Sequence, residues 1–279
     1  MILICRHFWL PNLRKLQVRN LICDFVRLDF RSPMHTMSGY PSSGRSAMED
    51  LRFVDFHDAR DGANLECLLR NVEALKRFVF VSNSSTVFEG LEEHRRPSIR
   101  GIAHGLIRHM AHVEDLVLSP RDGTYGTFLL REWYFDHCFT NLRSVALPKC
   151  LLDQDIARRS QCLLPDTLEE LQIQLTMSVE SCKGSGQANA AGDDNVTAVE
   201  WLAIAKIVSL PRLKRVVSWY QPCELDSPEM CVEAVGDPFQ GCLPELRRLH
   251  RKFRDVQVEF EWVFVRLFKD TPFGERLNL

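Results

Sequence analysis

The 279-residue chain contains no apolar run of the about 18 residues that a helix needs to cross a bilayer, so no helical membrane span is expected. Met1 to Leu10 is apolar in character but broken by Arg6 and His7, and it lacks the core and cleavage site of a secretory leader. Excess charge of one sign is also missing. Lys and Arg total 35 against 37 Asp and Glu, a net charge of −2, which leaves no global field for nucleic acid or an acidic membrane. The ten cysteines include no CxxC pair and no close-set cluster, which excludes a recognisable disulfide framework or zinc ribbon. They read as reduced, mostly buried thiols of a cytoplasmic or nuclear protein.

The signatures of catalysis are absent as well. There is no GxSxG elbow, SxxK pair or HExxH, and no GxxxxGK[ST] or GxGxxG. The glycines of RDGTYG (Arg121–Gly126) and KGSG (Lys183–Gly186) read as loop residues. No nucleophile, base and orienting group assemble, so no catalytic residue, cofactor or metal is assigned and the chain is not read as an enzyme. Asn83 in NSS and Asn195 in NVT match the glycosylation pattern, a chance match in a reducing compartment.

What is present is a phrase: an apolar residue, two others, an apolar residue, one other, an apolar residue. It occurs as Leu13–Leu16–Val18, Leu51–Val54–Phe56, Leu75–Phe78–Phe80, Val113–Leu116–Leu118, Leu142–Val145–Leu147 and Leu168–Leu171–Ile173. A weaker copy has Leu213 and Val216 with Ser218 in third place. The last two apolar positions are two apart, as in a strand with one buried face. Between the phrases, Ala63–Val72, Ile99–Ala111, Phe128–Cys138, Ile156–Leu164 and Val196–Leu210 carry apolar residues at helical spacing, the last with Asn195 as N-cap. Pro165, Pro211 and Pro244 precede phrases and stop the helix before the next strand. The intervals between phrases run from 24 to 45 residues.

A strand and a helix repeated in this way leave an apolar flank on each repeat that only the next repeat covers, so the expected fold is a stack. The stretches 31–46, rich in Ser, Pro and Gly, and 181–195, almost without large apolar side chains, read as surface insertions into it. Leu243 to Phe253 reads as a last helix, and Val256, Val258, Phe260 and Trp262 as a strand that closes the end, making 243–279 a helix–strand cap.

These phrases resemble the leucine-rich repeat, LxxLxLxx followed by Asn or Cys: LKRFVFVSN ends in Asn83 and LRSVALPKC in Cys150. The other copies place Leu21, Ala59, Arg121, Thr176 and Gln221 there. The resemblance implies an α/β solenoid over residues 1–279 as one domain, with parallel strands on its concave face and helices on its convex face. It also implies that Asn83 and Cys150 turn inward to bond the backbone where strand becomes loop. The uneven spacing, the LP-x-L phrases and the ending FEWVFVRLFKDTPFGE are similar to the repeat portion of fungal F-box proteins, which implies the substrate-binding part of a ubiquitin-ligase adaptor. An F-box is a helical bundle of about forty residues, and the first phrase at Leu13 leaves no room for it. A cullin-ligase partnership is therefore expected only if an F-box lies upstream.

Two clusters invite chemistry. His104, His109 and His112 put two imidazoles three residues apart, but no carboxylate or cysteine follows at ligand spacing, and they read as a packed or solvated face. Arg247–Arg254 (RRLHRKFR) carries five cations that Asp255, Glu259 and Glu261 offset, and reads as a solvated helix face in preference to a site for an acidic partner.

A solenoid binds through the side chains that alternate with its buried pair. These are Lys15, Gln17 and Arg19; Phe53, Asp55 and His57; Arg77, Val79 and Val81; Asp115 and Ser119; Glu170, Gln172 and Gln174; Arg215, Val217 and Trp219. The partner-binding candidates drawn from them are Arg19, Asp55, His57, Arg77, Asp115, Gln172, Gln174, Arg215 and Trp219, and the expected ligand is a protein or peptide. Two alternatives stand beside this recognition module: a truncated or vestigial structural fragment without its own partner, and an enzyme on an unrelated α/β fold.

Overall fold

The structure, a computed structural model, describes residues 12–19, 22–23, 46–54, 57–58, 65–66, 69, 72–73, 75–81, 99–119, 135–149, 152, 164–176, 199–221 and 243–264. Asp55, Asn83, Cys150, the insertion 181–195, the stretch 31–46 except Ser46 and the helix-like stretch 156–164 except Leu164 lie outside the described residues. The chain divides into two compact units, Met1–Phe128 with His137–Leu142, and Leu129–Asp136 with Arg143–Leu279.

In the first unit, β1 (Lys15–Arg19), β3 (Asp50–Val54), β5 (Arg77–Val81) and β6 (Asp115–Ser119) pair in sequence order, every pair parallel. A second, two-stranded parallel ladder joins β2 (Ile22–Cys23) to β4 (His57–Asp58). In the second unit, β7 (Ser144–Pro148), β8 (Glu170–Thr176), β9 (Arg215–Gln221) and β10 (Glu259–Phe264) do the same. Parallel neighbours need a crossover, and the intervening segments supply helices: Ile99–Leu106, Phe135–Cys138, residues 199–208 and Leu243–Asp255. The fold is α/β, with consecutive parallel strands.

The phrases stack by equivalent positions. Leu16, Leu51, Phe78 and Leu116 share one register row, and Val18, Phe53, Phe80 and Leu118 another. Val145, Leu171, Val216 and Phe260 form the matching row of the second unit. Except for Leu16 and Val18 on the edge strand, all of these are buried. The expected reading of LRFVDF is corrected here. Leu51 aligns with the second apolar position of its neighbours, so the second phrase is Met48–Leu51–Phe53, and all three side chains are fully buried. Phe53 belongs to the core, and Asp50, Arg52 and Val54 take the places expected for Phe53, Asp55 and His57.

One backbone device recurs at the entries into the strands. The carbonyl of the residue after the first apolar position accepts two N–H groups from the next phrase. Arg14 takes those of Glu49 and Asp50, Glu49 those of Lys76 and Arg77, and Lys76 those of Glu114 and Asp115. In the second unit Arg143 accepts from Glu169 and Glu170, and Glu169 from Lys214 and Arg215. Tight turns lead in, with Leu142, Leu168 and Leu213 donating to Phe139, Pro165 and Leu210. Pro165 and Pro211 sit in these turns as expected. Pro244 instead stands second in the Leu243–Asp255 helix, where a missing N–H leaves nothing unsatisfied.

Helices stack as the strands do. In the first unit Gly105 approaches Leu65 so closely that an added Cβ would lie 2.8 Å from its side chain, and His109 Nε2 donates to the Leu69 carbonyl at 3.1 Å. In the second, Arg248 and Lys252 of the Leu243–Asp255 helix both pair with Glu200 on the 199–208 helix. The last helix buries Leu249 and Phe253, and Phe253 stacks on Phe260 of β10 with ring centroids 4.7 Å apart. The expected terminal helix and edge strand are thus present. The strand begins at Glu259, after a turn that holds Gln257 at a φ of 59°.

Candidate functional site: the charged rows of the strand faces

Residues that alternate with the buried rows line up into charged rows. In the first unit the row is Lys15, Asp50, Arg77, Asp115. Its centre is Arg77, whose Nε donates to Asp115 at 2.6 Å while Nη1 stands 3.9 Å from Asp50. Asp50 also accepts a two-pronged contact from Arg52 two residues on, at 2.9 and 2.7 Å. This contact, outweighing partial burial, holds the Arg52 guanidinium above its ordinary range. Two largely buried carboxylates therefore have cationic partners on the same face, as buried charge requires.

The second unit repeats the scheme in the row Ser144, Glu170, Arg215, Glu259. Arg215 donates to Glu261 at 2.6 Å, and its other nitrogens stand 3.9 Å from Glu170 and Glu259. The bond to Glu261 first, with the neighbouring carboxylates adding to it against burial, raises the Arg215 pKa. Gln172 donates to Glu170, while its Oε1 and the Ser144 hydroxyl are buried with no hydrogen-bond partner among the described residues.

A further row, one residue nearer the strand entrance, alternates in sign: Arg14, Glu49, Lys76 and Glu114 in one unit, Arg143, Glu169 and Lys214 in the other. Glu49 lies 2.9 Å from Arg14 and 3.3 Å from Lys76, and Glu169 lies 2.6 Å from Lys214. The bond from Lys214 lowers the Glu169 pKa. These pairs are exposed and screened by solvent, so they contribute little to the stability of the fold.

Of the candidates named from sequence, Arg77 and Asp115 are brought together, each still on the row expected for it. Arg215 stands at the centre of the second row, and Arg19 is exposed on β1. Gln172 and Gln174 are on the expected face but buried. His57 lies in β4, on the two-stranded ladder, and Trp219 in β9, between Gln174 and Val263 in register. Asp55 is outside the described residues. The alternating face is not uniformly open, since Val54, Val79, Val81, Val117 and Val217 are also buried. Register neighbours about 4.8 Å apart cover part of one another, and branched side chains do so well. Sequence reasoning missed Asp50, Arg52, Glu259 and Glu261. The first two became visible only once the phrase was moved to Met48.

The histidines do not converge. His109 is buried on the Leu69 carbonyl, whereas His104 and His112 are exposed, and among the described residues no three His, Cys, Asp or Glu side chains are grouped to hold a metal ion. Burial lowers the His109 pKa. No helix among the described residues is long and apolar enough to cross a membrane. No protein-family model matches the chain, and neither a curated protein nor a solved structure is significantly similar to it.

Proposed function

We propose that the chain is a leucine-rich-repeat-like solenoid that acts as a non-catalytic protein-recognition module, reading a protein or peptide through the charged rows of its strand faces. The observation that carries this reading is the alignment of equivalent positions across consecutive strands. It presents cation and carboxylate in alternation along Lys15–Asp50–Arg77–Asp115 and along Glu170–Arg215–Glu259, with the hydroxyl of Ser144 at the head of the second row. A segment crossing the strands meets one such group about every 4.8 Å, a spacing that rewards a partner of complementary charge order. Arginines held rigidly by neighbours, like Arg77 and Arg215, suit the anchor role because little side-chain entropy remains to be lost. Adaptor function in an F-box-type ubiquitin ligase extends the proposal and requires an F-box encoded upstream and in frame.

Capture from a cell extract tests the reading. The bait is compared with a Lys15→Glu/Glu259→Lys variant, which inverts one exposed charge in each row without touching the core. The reading expects proteins recovered by the unmodified chain to be lost from the variant. Recovery of the same set by both would remove the strand faces as the recognition surface.

A further inference from the structure

The Leu243–Asp255 helix divides its cations by face. Leu249 and Phe253 point into the core, and Arg248 and Lys252 reach Glu200. Arg247, Arg251 and Arg254 occupy the remaining face and are exposed. Among the described residues the guanidinium groups of Arg251 and Arg254 have no ion pair or hydrogen bond. Both open onto a cavity of about 410 Å³ that His250, Gln257, Val258 and Phe260 complete. His250 stands edge-on to Phe260 at 5.0 Å, so imidazole and phenyl share one wall.

Part of this arrangement has a purely structural cause, because cations in the last turn of a helix offset its partial negative end. That cause explains neither the open volume nor its apolar wall. Three residues apart and without a counter-ion among the described residues, the two guanidinium groups repel one another, and Gln257 adopts a backbone conformation that favours glycine. The turn it makes leads into Val258 and Phe260, which line the cavity together with the arginines.

We propose that this cavity binds a compact oxyanion, carboxylate or phosphate, carried on an aromatic or other apolar body. The oxyanion takes the N–H groups of Arg251 and Arg254, for which planar guanidinium is the fitting donor, and the apolar body rests on the exposed His250 ring and on the edges of Phe260 and Val258 that reach the cavity wall. A volume of this size is within the range of small-molecule sites. The site lies in the second unit, off the charged strand face, and is independent of the recognition reading.

Calorimetric titration of the full chain with phenyl phosphate, phenylacetate, inorganic phosphate and benzyl alcohol tests it. At least one aromatic anion should saturate, with inorganic phosphate and the neutral alcohol at least about tenfold weaker. Preference between the two anions distinguishes a phosphate from a carboxylate ligand. Arg251→Gln and Arg254→Gln should each weaken the preferred anion about tenfold, whereas Arg247→Gln, outside the cavity, should leave it unchanged. All three arginines are exposed, and circular dichroism checks that the variants remain folded. Saturation by neither anion overturns the proposal, as does equal binding by the Arg251 and Arg254 variants and the unmodified chain.

Discussion

His109 uses one ring nitrogen and closes off the other. Nε2 donates to the Leu69 carbonyl, and Nδ1 is buried without a partner among the described residues, so protonation would place a second N–H where none of them accepts it. Burial accordingly lowers its pKa below the ordinary value of 6.5. A base whose folded pKa is lowered binds fewer protons folded than unfolded, so stability falls as pH drops below 6.5 towards the folded value. Urea midpoints at pH 7.5 and 5.5 should therefore fall more for the unmodified chain than for His109→Gln, which keeps a donor for Leu69 but does not titrate. Equal falls in both would contradict the burial of a neutral imidazole.

At the scale of the element, the second strand depends on Met48. Because its side chain fills the first apolar position of the phrase, Met48→Ala should cost about 2–5 kcal/mol in denaturant unfolding. Had the phrase begun at Leu51, Met48 would lie outside it and truncation would fall within about 0.5 kcal/mol. Helix stacking has its own tight point at Gly105. An alanine Cβ there would sit 2.8 Å from Leu65 Cγ and 3.1 Å from its Cβ, too near the backbone for a simple rotamer change to relieve. Gly105→Ala should destabilise by about 1–3 kcal/mol, and shortening Leu65 in the same chain should reduce that added cost.

Most of the strand order was legible at this scale, because phrases such as LKRFVF and LEELQI repeat a spacing that only stacked strands use well. The register of LRFVDF was not, since Leu51, Phe53, Val54 and Phe56 are apolar in either frame and periodicity alone does not choose between them. Its neighbours choose, by aligning Leu51 with Leu16 and Phe78. With that frame in place the alternating charges from Arg14 to Lys214 can be read directly from the sequence. The cavity at Arg251 could not be found that way. It depends on the angle at which the chain turns from the last helix into β10, a tertiary fact that RRLHRKFR does not encode by itself.

Over the molecule, equivalent positions of successive phrases lie next to one another within each unit. Zero-length carbodiimide coupling, followed by mass-spectrometric mapping of the joined peptides, reads those neighbours without any substitution. Lys76 stands 3.3 Å from Glu49, and Lys214 stands 2.6 Å from Glu169. The stack predicts amide bonds Lys76–Glu49 and Lys214–Glu169 as the dominant products from these two lysines. Coupling of either lysine chiefly to carboxylates of non-adjacent phrases, with those two bonds missing, would contradict the parallel, in-register arrangement.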